Sequence, residues 1–188
     1  MGQNADPLII VPSPPQFLDA TGISWCTISD SDSGLVVSGF SDDGKEAGRL
    51  TAGFSGGIEL DLAAGAEQVT FKGSISASSE YGYEVVGQEV GQAGHFVIHE
   101  SDSTGNPDFT QLTQNWAALA DSLITVGYAL DNGAGDGSDQ RRACCRTLAA
   151  GVLLEGVNYL NDPSSQEWSR LGDAALAYLS DDCGSASA

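Results

Sequence analysis

Basic residues are scarce in this chain of 188 residues, which has seven Lys and Arg against 26 Asp and Glu and therefore a formal net charge of −19 at pH 7. A surface of that charge repels the phosphate backbone of nucleic acids, so binding would need a local basic surface. We therefore predict that the protein does not bind nucleic acid. An acidic, lysine-poor composition is also typical of proteins from salty environments, because a high net charge maintains solubility there.

Long apolar runs are absent as well, and no stretch approaches the roughly 20 residues that a membrane-spanning helix needs. The N-terminus lacks the basic start and apolar core of a secretory signal. We expect a soluble protein, cytoplasmic or part of a particle, whose compartment is otherwise unknown. Four cysteines are too few for a disulfide scaffold, and the neighbours Cys144 and Cys145 are poorly placed to bond to each other. Reduced, buried thiols are therefore expected.

The chain also lacks a complete catalytic motif. Residues 53–57 match the G-x-S-x-G pattern of hydrolases, but an alternating strand pattern follows where such a site requires a helix. The only histidines, His95 and His99, lie in a strand-like segment, where a separation of four residues puts them about 13 Å apart, too far for one metal. The sequence therefore favours a protein that is not an enzyme.

Short β-type runs, separated by Gly, Ser and Asp, fill the first hundred residues. Their regular spacing predicts an antiparallel β-sandwich or barrel of about seven to eight strands over residues 23–100. The expected strands span residues 23–29, 34–40, 48–54, 57–62, 67–73, 81–88 and 94–100. Residues 1–22 are rich in proline and are expected to form an extended arm, which lies on its own domain or reaches into a neighbouring subunit.

Helical periodicity replaces the strand pattern after residue 106. Apolar residues at spacings of three and four run from Phe109 to Leu130, and a second such segment covers residues 139–160. Ser164 and Glu167 then form a capping box, which predicts the start of a third helix. Residues 106–183 are thus expected to form a three-helix unit packed on the β unit. The predicted fold class is α+β, with arm, β unit and helices in one composite domain.

Two acidic loops have the oxygen-rich composition that calcium prefers. The first contains Asp30 and Asp32, and the second contains Asp131, Asp136 and Asp139. Neither loop matches the EF-hand pattern, and ordinary turn chemistry accounts for the same residues. Calcium is the one cofactor that the sequence suggests.

A single basic cluster, formed by Arg141, Arg142 and Arg146, stands out from the acidic background. Arginine pairs with carboxylates through two parallel hydrogen bonds, and such pairs suit subunit contacts. We predict that the three arginines pair with acidic residues, either of this subunit or across an interface.

Three aromatic residues of the β region, Trp25, Tyr81 and Tyr83, are either stacking surfaces for a ligand or part of the core. If they stack on a ligand, the protein is a sugar- or small-ligand-binding module that could depend on calcium. The expected function is instead that of a non-enzymatic structural or assembly subunit, such as a component of a virion, tail or surface array. Its partners would be other protein subunits, most simply further copies of itself. A hydrolase of unknown substrate is the third alternative.

Overall fold

The computed structural model describes residues 9–133 and 138–180, with backbone alone for residues 131–133, 138 and 139. Within these ranges the strands form one open sheet, in which each strand pairs with the next one along the chain. All of these pairs are antiparallel. The strands are β1 (Ile9–Pro12), β2 (Trp25–Ser31), β3 (Gly34–Phe40), β4 (Glu46–Gly53), β5 (Ile58–Ala64), β6 (Glu67–Ser78), β7 (Gly82–Glu89), β8 (Phe96–His99) and β9 (Ser103–Gly105).

Helices cover one face of this sheet. They are α1 (Pro15–Thr21), α2 (Gln111–Ala117), α3 (Ala120–Gly133), α4 (Ser138–Asn161) and α5 (Ser165–Ser180). Alternate strand residues such as Leu35, Leu60 and Phe71 are fully buried beneath them, as expected for a half-buried antiparallel sheet. Helix α4 packs closely on β6 because Gly73 has no side chain there: a Cβ on Gly73 would lie 2.7 Å from Leu153 Cδ2.

The predicted α+β class and antiparallel β region are confirmed, and several finer predictions need correction. The described residues contain nine strands rather than seven or eight, and five helices rather than three. The sheet is open, so it is not a barrel, and the layer that covers its inner face is helical. Strand β9 lies beyond residue 100, where the predicted β unit ends.

Residues 9–21 are not simply an extended arm, because they contain both a strand and a helix. Strand β1 adds to the edge of the sheet beside β2. Helix α1 begins at Pro15, where a missing backbone N–H costs nothing because the first helical amides have no partner in the helix. Phe17 is fully buried with its ring edge-on to Trp116, at a centroid distance of 5.0 Å. This part of the chain therefore lies on its own domain.

The first predicted helix is two helices, α2 and α3. Thr110 caps α2 by accepting a hydrogen bond from the Thr113 amide. The helix ends after Ala117, whose carbonyl oxygen accepts a hydrogen bond from Asn158 Nδ2 at 2.6 Å. The side-chain amide of Asn158 in α4 thus donates the hydrogen bond that a backbone amide would donate if the helix continued. The chain turns before α3 begins.

The described cysteines differ in their oxidation state. Cys26 is a free, buried thiol, as predicted, and burial raises the pKa of this thiol to about 11. Cys144 is buried as well, with 1% of the residue exposed. The prediction of a reduced thiol is wrong for Cys145, which is disulfide-bonded.

The structure also bears on the membrane prediction. None of the helices in the described ranges is both long enough and apolar enough to cross a bilayer.

Candidate functional site

Three carboxylates meet where helices α3, α4 and α5 pack together. Asp121 lies in the first turn of α3, Glu155 in α4, and Glu167 in the first turn of α5. Helices α3 and α4 approach closely at Gly151, where a Cβ would lie 2.7 Å from Ile124 Cγ1. This close packing brings the three side chains into one cluster, which we call the carboxylate centre.

Oxygen atoms of the carboxylate centre face one another. One carboxylate oxygen of each residue lies within 4.8 Å of those of the other two. Asp121 Oδ1, Glu155 Oε2 and Glu167 Oε2 are each buried and have no hydrogen-bond partner. The Glu155 side chain is fully buried, with 0% of the residue exposed. Charged oxygens in such a position are strongly destabilising unless a proton, a donor or a cation compensates them.

The surroundings compensate the carboxylate centre only in part. Asn158 Nδ2 lies 3.3 Å from Glu155 Oε1 and donates to it, while Arg170 Nε forms an ion pair with Asp121 Oδ1 at 3.3 Å. Burial, together with the nearby carboxylates of Asp121 and Glu167, raises the pKa of Glu155 to about 11. When no cation is bound, the Glu155 carboxyl group is therefore protonated at neutral pH, and its single O–H can donate to one of the two neighbouring carboxylates.

Glu167 has a different role from the one predicted. The Ser164 hydroxyl caps α5 by accepting a hydrogen bond from the Glu167 amide at 3.1 Å, as the capping box requires. A carboxylate oxygen of Glu167, however, lies in the carboxylate centre. The sequence pattern thus identified the start of the helix and missed the second role of its glutamate.

The arginines of α4 hold that helix against the β2–β3 hairpin. Arg142 Nε and Arg146 Nη1 each donate to a different oxygen of Asp30, at 2.8 and 2.7 Å. Arg146 Nη1 also donates to the Ser31 carbonyl, and Arg142 Nη1 donates to Asp32 at 3.1 Å. These pairs lie within one subunit, which was one of the two predicted alternatives.

Arg146 is further fixed by Phe54, since its guanidinium lies 5.1 Å from the centre of that ring. Arg141 is exposed on the same helix. A subunit contact through the three arginines stays a prediction.

The two acidic loops that were predicted to bind calcium have different outcomes. In the first, both oxygens of Asp30 accept hydrogen bonds from arginine, and Asp32 also pairs with one. In the second, Asp136 and the side chains of Asp131 and Asp139 lie outside the part of the chain that the structure describes. Calcium binding at these loops stays a prediction.

The predicted aromatic stacking residues do not form one surface. Tyr83 is 1% exposed and belongs to the core. Tyr81 stacks on His99 with a centroid distance of 3.9 Å, and Trp25 stacks on Phe40 at 4.4 Å. Each of the two more exposed rings therefore has an aromatic neighbour within the chain.

An apolar surface lies at the β1 edge of the sheet, on the face opposite the helices. Ile10 and Pro12 are exposed there, and Trp25 and Phe40 are half-buried. Pro12 pairs with Trp25, which in turn pairs with Phe40, so the three side chains form a row across β1, β2 and β3. Ile10 projects from β1 on the same face and is 64% exposed, the largest value among the exposed large hydrophobic residues described. We call Ile10, Pro12, Trp25 and Phe40 the β1 patch. Such a surface on the edge strand of a sheet is typical of a protein contact.

The carboxylate centre was missed because its members are far apart in the sequence and lie on three helices. One signal was nevertheless present. Glu155 is the only carboxylate in the apolar stretch from Leu148 to Leu160. A single ionisable residue in a helix that is apolar on all sides is expected to be buried, and buried ionisable residues are candidates for functional sites.

Comparisons with known proteins do not indicate a function for this chain. No family model matches the chain, and neither curated proteins nor solved structures show significant similarity to it.

Proposed function

We propose that this chain is a non-enzymatic structural subunit that assembles with further copies of itself through the β1 patch. The observation that carries this proposal is the position of the patch. It combines exposed apolar side chains with the outer edge of a nine-stranded sheet. Burying such side chains favours association by about 25 cal/mol for each Å² of apolar area removed from water.

A second copy is the occupant that the charge distribution favours. The chain carries a net charge of −19, whereas Ile10, Pro12, Trp25 and Phe40 are uncharged. An apolar contact allows two acidic copies to meet without burying their carboxylates, and a two-fold axis at the edge would place each β1 beside the other. Repulsion between the copies weakens as salt screens it, so association is expected to increase with ionic strength.

Light scattering on matched variants tests this proposal. Wild-type protein is expected to exceed its monomer mass of 19.3 kDa, and Ile10→Asp, which places a charge in the contact, is expected to restore that mass. Val90→Asp is the control, because Val90 is 49% exposed and lies outside the patch. A wild-type monomer at high concentration, or equal dissociation by both variants, would count against the β1 patch.

A second candidate function, the binding of a sugar or another small polar ligand, is favoured by a groove of about 520 Å³ beside α5. Tyr159 and Trp168 form an aromatic wall with a centroid distance of 5.0 Å, and Ser101, Asp102 and Ser103 line the groove as well. Aromatic faces combined with hydroxyl and carboxylate groups suit a polyhydroxylated ligand. Tryptophan fluorescence during sugar titrations of wild type and Trp168→Phe tests this alternative, which predicts a saturable change in wild type.

A further inference from the structure

The carboxylate centre is more than a group of acidic residues on a surface. Acidic clusters are common in a chain with 26 Asp and Glu, and by themselves they indicate nothing. Here, however, Glu155 is fully buried and its Oε2 atom has no hydrogen-bond partner. One of its carboxylate oxygens also lies within 4.8 Å of oxygens of Asp121 and Glu167. A buried carboxylate oxygen directed at two others requires a positively charged or proton-donating group between them.

The net charge of the ionised centre is the charge that one divalent ion would neutralise. When all three carboxylates are ionised, the single guanidinium of Arg170 near Asp121 neutralises one of them. Two negative charges then remain, which equals the charge of one divalent cation. Asp121 lies at the outer side of the centre, with 42% of its side chain exposed.

The spacing of the oxygens also suits a shared ion. Oxygens bound to one calcium ion lie up to about 5 Å apart, and those bound to one magnesium ion up to about 4 Å, since these are twice the usual metal–oxygen distances. The three oxygens of the carboxylate centre lie within 4.8 Å of one another. Carboxylates are hard ligands, which suit calcium, magnesium and manganese.

We propose that Asp121, Glu155 and Glu167 together bind one hard divalent cation of the calcium, magnesium and manganese class. The ion joins α3, α4 and α5, because each of these helices supplies one ligand. Asn158 is a positioning residue, since its amide holds the other oxygen of Glu155 at 3.3 Å. Binding of the ion therefore stabilises the packing of the helical layer.

Manganese binding measured by electron paramagnetic resonance tests the site, because free and bound Mn²⁺ give different signals. We expect wild type in 0.15 M salt to bind one Mn²⁺ with a dissociation constant of roughly 10⁻⁵ to 10⁻³ M, and calcium or magnesium to compete for it. Glu155→Gln keeps the shape of the side chain and is expected to weaken binding about tenfold or more. The control is Glu59→Gln, which removes an exposed carboxylate on the opposite face of the sheet and should leave the Mn²⁺ affinity unchanged.

Two further measurements keep the test decisive. Asp121→Asn, which changes a partly exposed side chain, replaces Glu155→Gln if circular dichroism shows that the latter is unfolded. Mn²⁺ is expected to raise the melting temperature of wild type and of Glu59→Gln, and to have little effect on the variants of the carboxylate centre. The proposal is overturned if wild type has no saturable site below 1 mM Mn²⁺, or if neither substitution in the centre weakens binding. Either result would mean that protons alone hold the three carboxylates together.

Discussion

Replacing Glu155 by glutamine is expected to stabilise the protein at neutral pH when divalent ions are removed. Burial and the neighbouring carboxylates raise the pKa of Glu155 from 4.5 to about 11, so the folded protein retains a proton that the unfolded chain has lost at pH 7. The favourable effect of this group on folding is complete below pH 4.5 and is lost as the pH rises towards the folded-state value. Glutamine has a permanently neutral side chain of the same shape and does not lose this contribution.

The size of the effect follows from the linkage between proton binding and folding. Each pH unit above the unfolded-state pKa costs about 1.4 kcal/mol, so at pH 7 the free energy of unfolding is lower by about 3 kcal/mol than it is in strong acid. We expect Glu155→Gln to exceed wild type by up to about this amount at pH 7, and to match wild type near pH 4.5.

Urea unfolding in EDTA at several pH values measures this difference. Because other groups titrate in both proteins, the informative quantity is the free energy of unfolding of the variant minus that of wild type. It should increase as the pH rises from 4.5 to 8. A variant that is less stable than wild type at pH 7, or a difference that does not change with pH, would refute this view of Glu155.

Two further predictions concern other parts of the chain. Arg146→Ala should lower the free energy of unfolding by about 2–4 kcal/mol in urea titrations, because it leaves Asp30, whose side chain is 4% exposed, with Arg142 as its remaining guanidinium partner. A loss below about 0.5 kcal/mol would show that the pair contributes little. Iodoacetamide should leave Cys26 and Cys144 unmodified in the native protein, since they are 0% and 1% exposed, and should modify both after unfolding in urea. Cys145 should react only after reduction, and tandem mass spectrometry distinguishes it from Cys144; earlier modification of Cys145 would contradict the disulfide.

Local sequence patterns predicted those elements whose burial repeats regularly. Ile58, Leu60 and Leu62 alternate with polar residues, and they form the inner face of β5 as expected. The strand predicted over residues 34–40 and the helix predicted over residues 139–160 agree closely with β3 and α4. In these segments, the interactions that define the element lie within a few residues of each other.

The remaining elements depend on contacts between distant residues. Helix α1 is stabilised by burial of Phe17 against Trp116, almost a hundred residues later. The break between α2 and α3 depends on Asn158, and the short strand β9 depends on pairing with β8. Periodicity within one segment contains no information about such partners.

Predictions about the site residues also succeeded where the residues are close in sequence and failed where they are distant. The basic cluster of α4 was recognised as a group that pairs with carboxylates, but its partner Asp30 lies 116 residues away from Arg146. The carboxylate centre joins residues of three helices, so only the isolated charge of Glu155 in an apolar helix could have indicated it. The kind of interaction was thus predictable for residues that are close together in the sequence. Which distant residues meet in the folded chain was not predictable.

Sedimentation equilibrium of the wild-type protein tests the proposed assembly most directly. At increasing protein concentration, and at 0.05 and 1 M salt, we expect a mass above 19.3 kDa that increases with both variables. A mass that stays at the monomer value under all of these conditions would contradict the assignment of this chain as a self-assembling structural subunit.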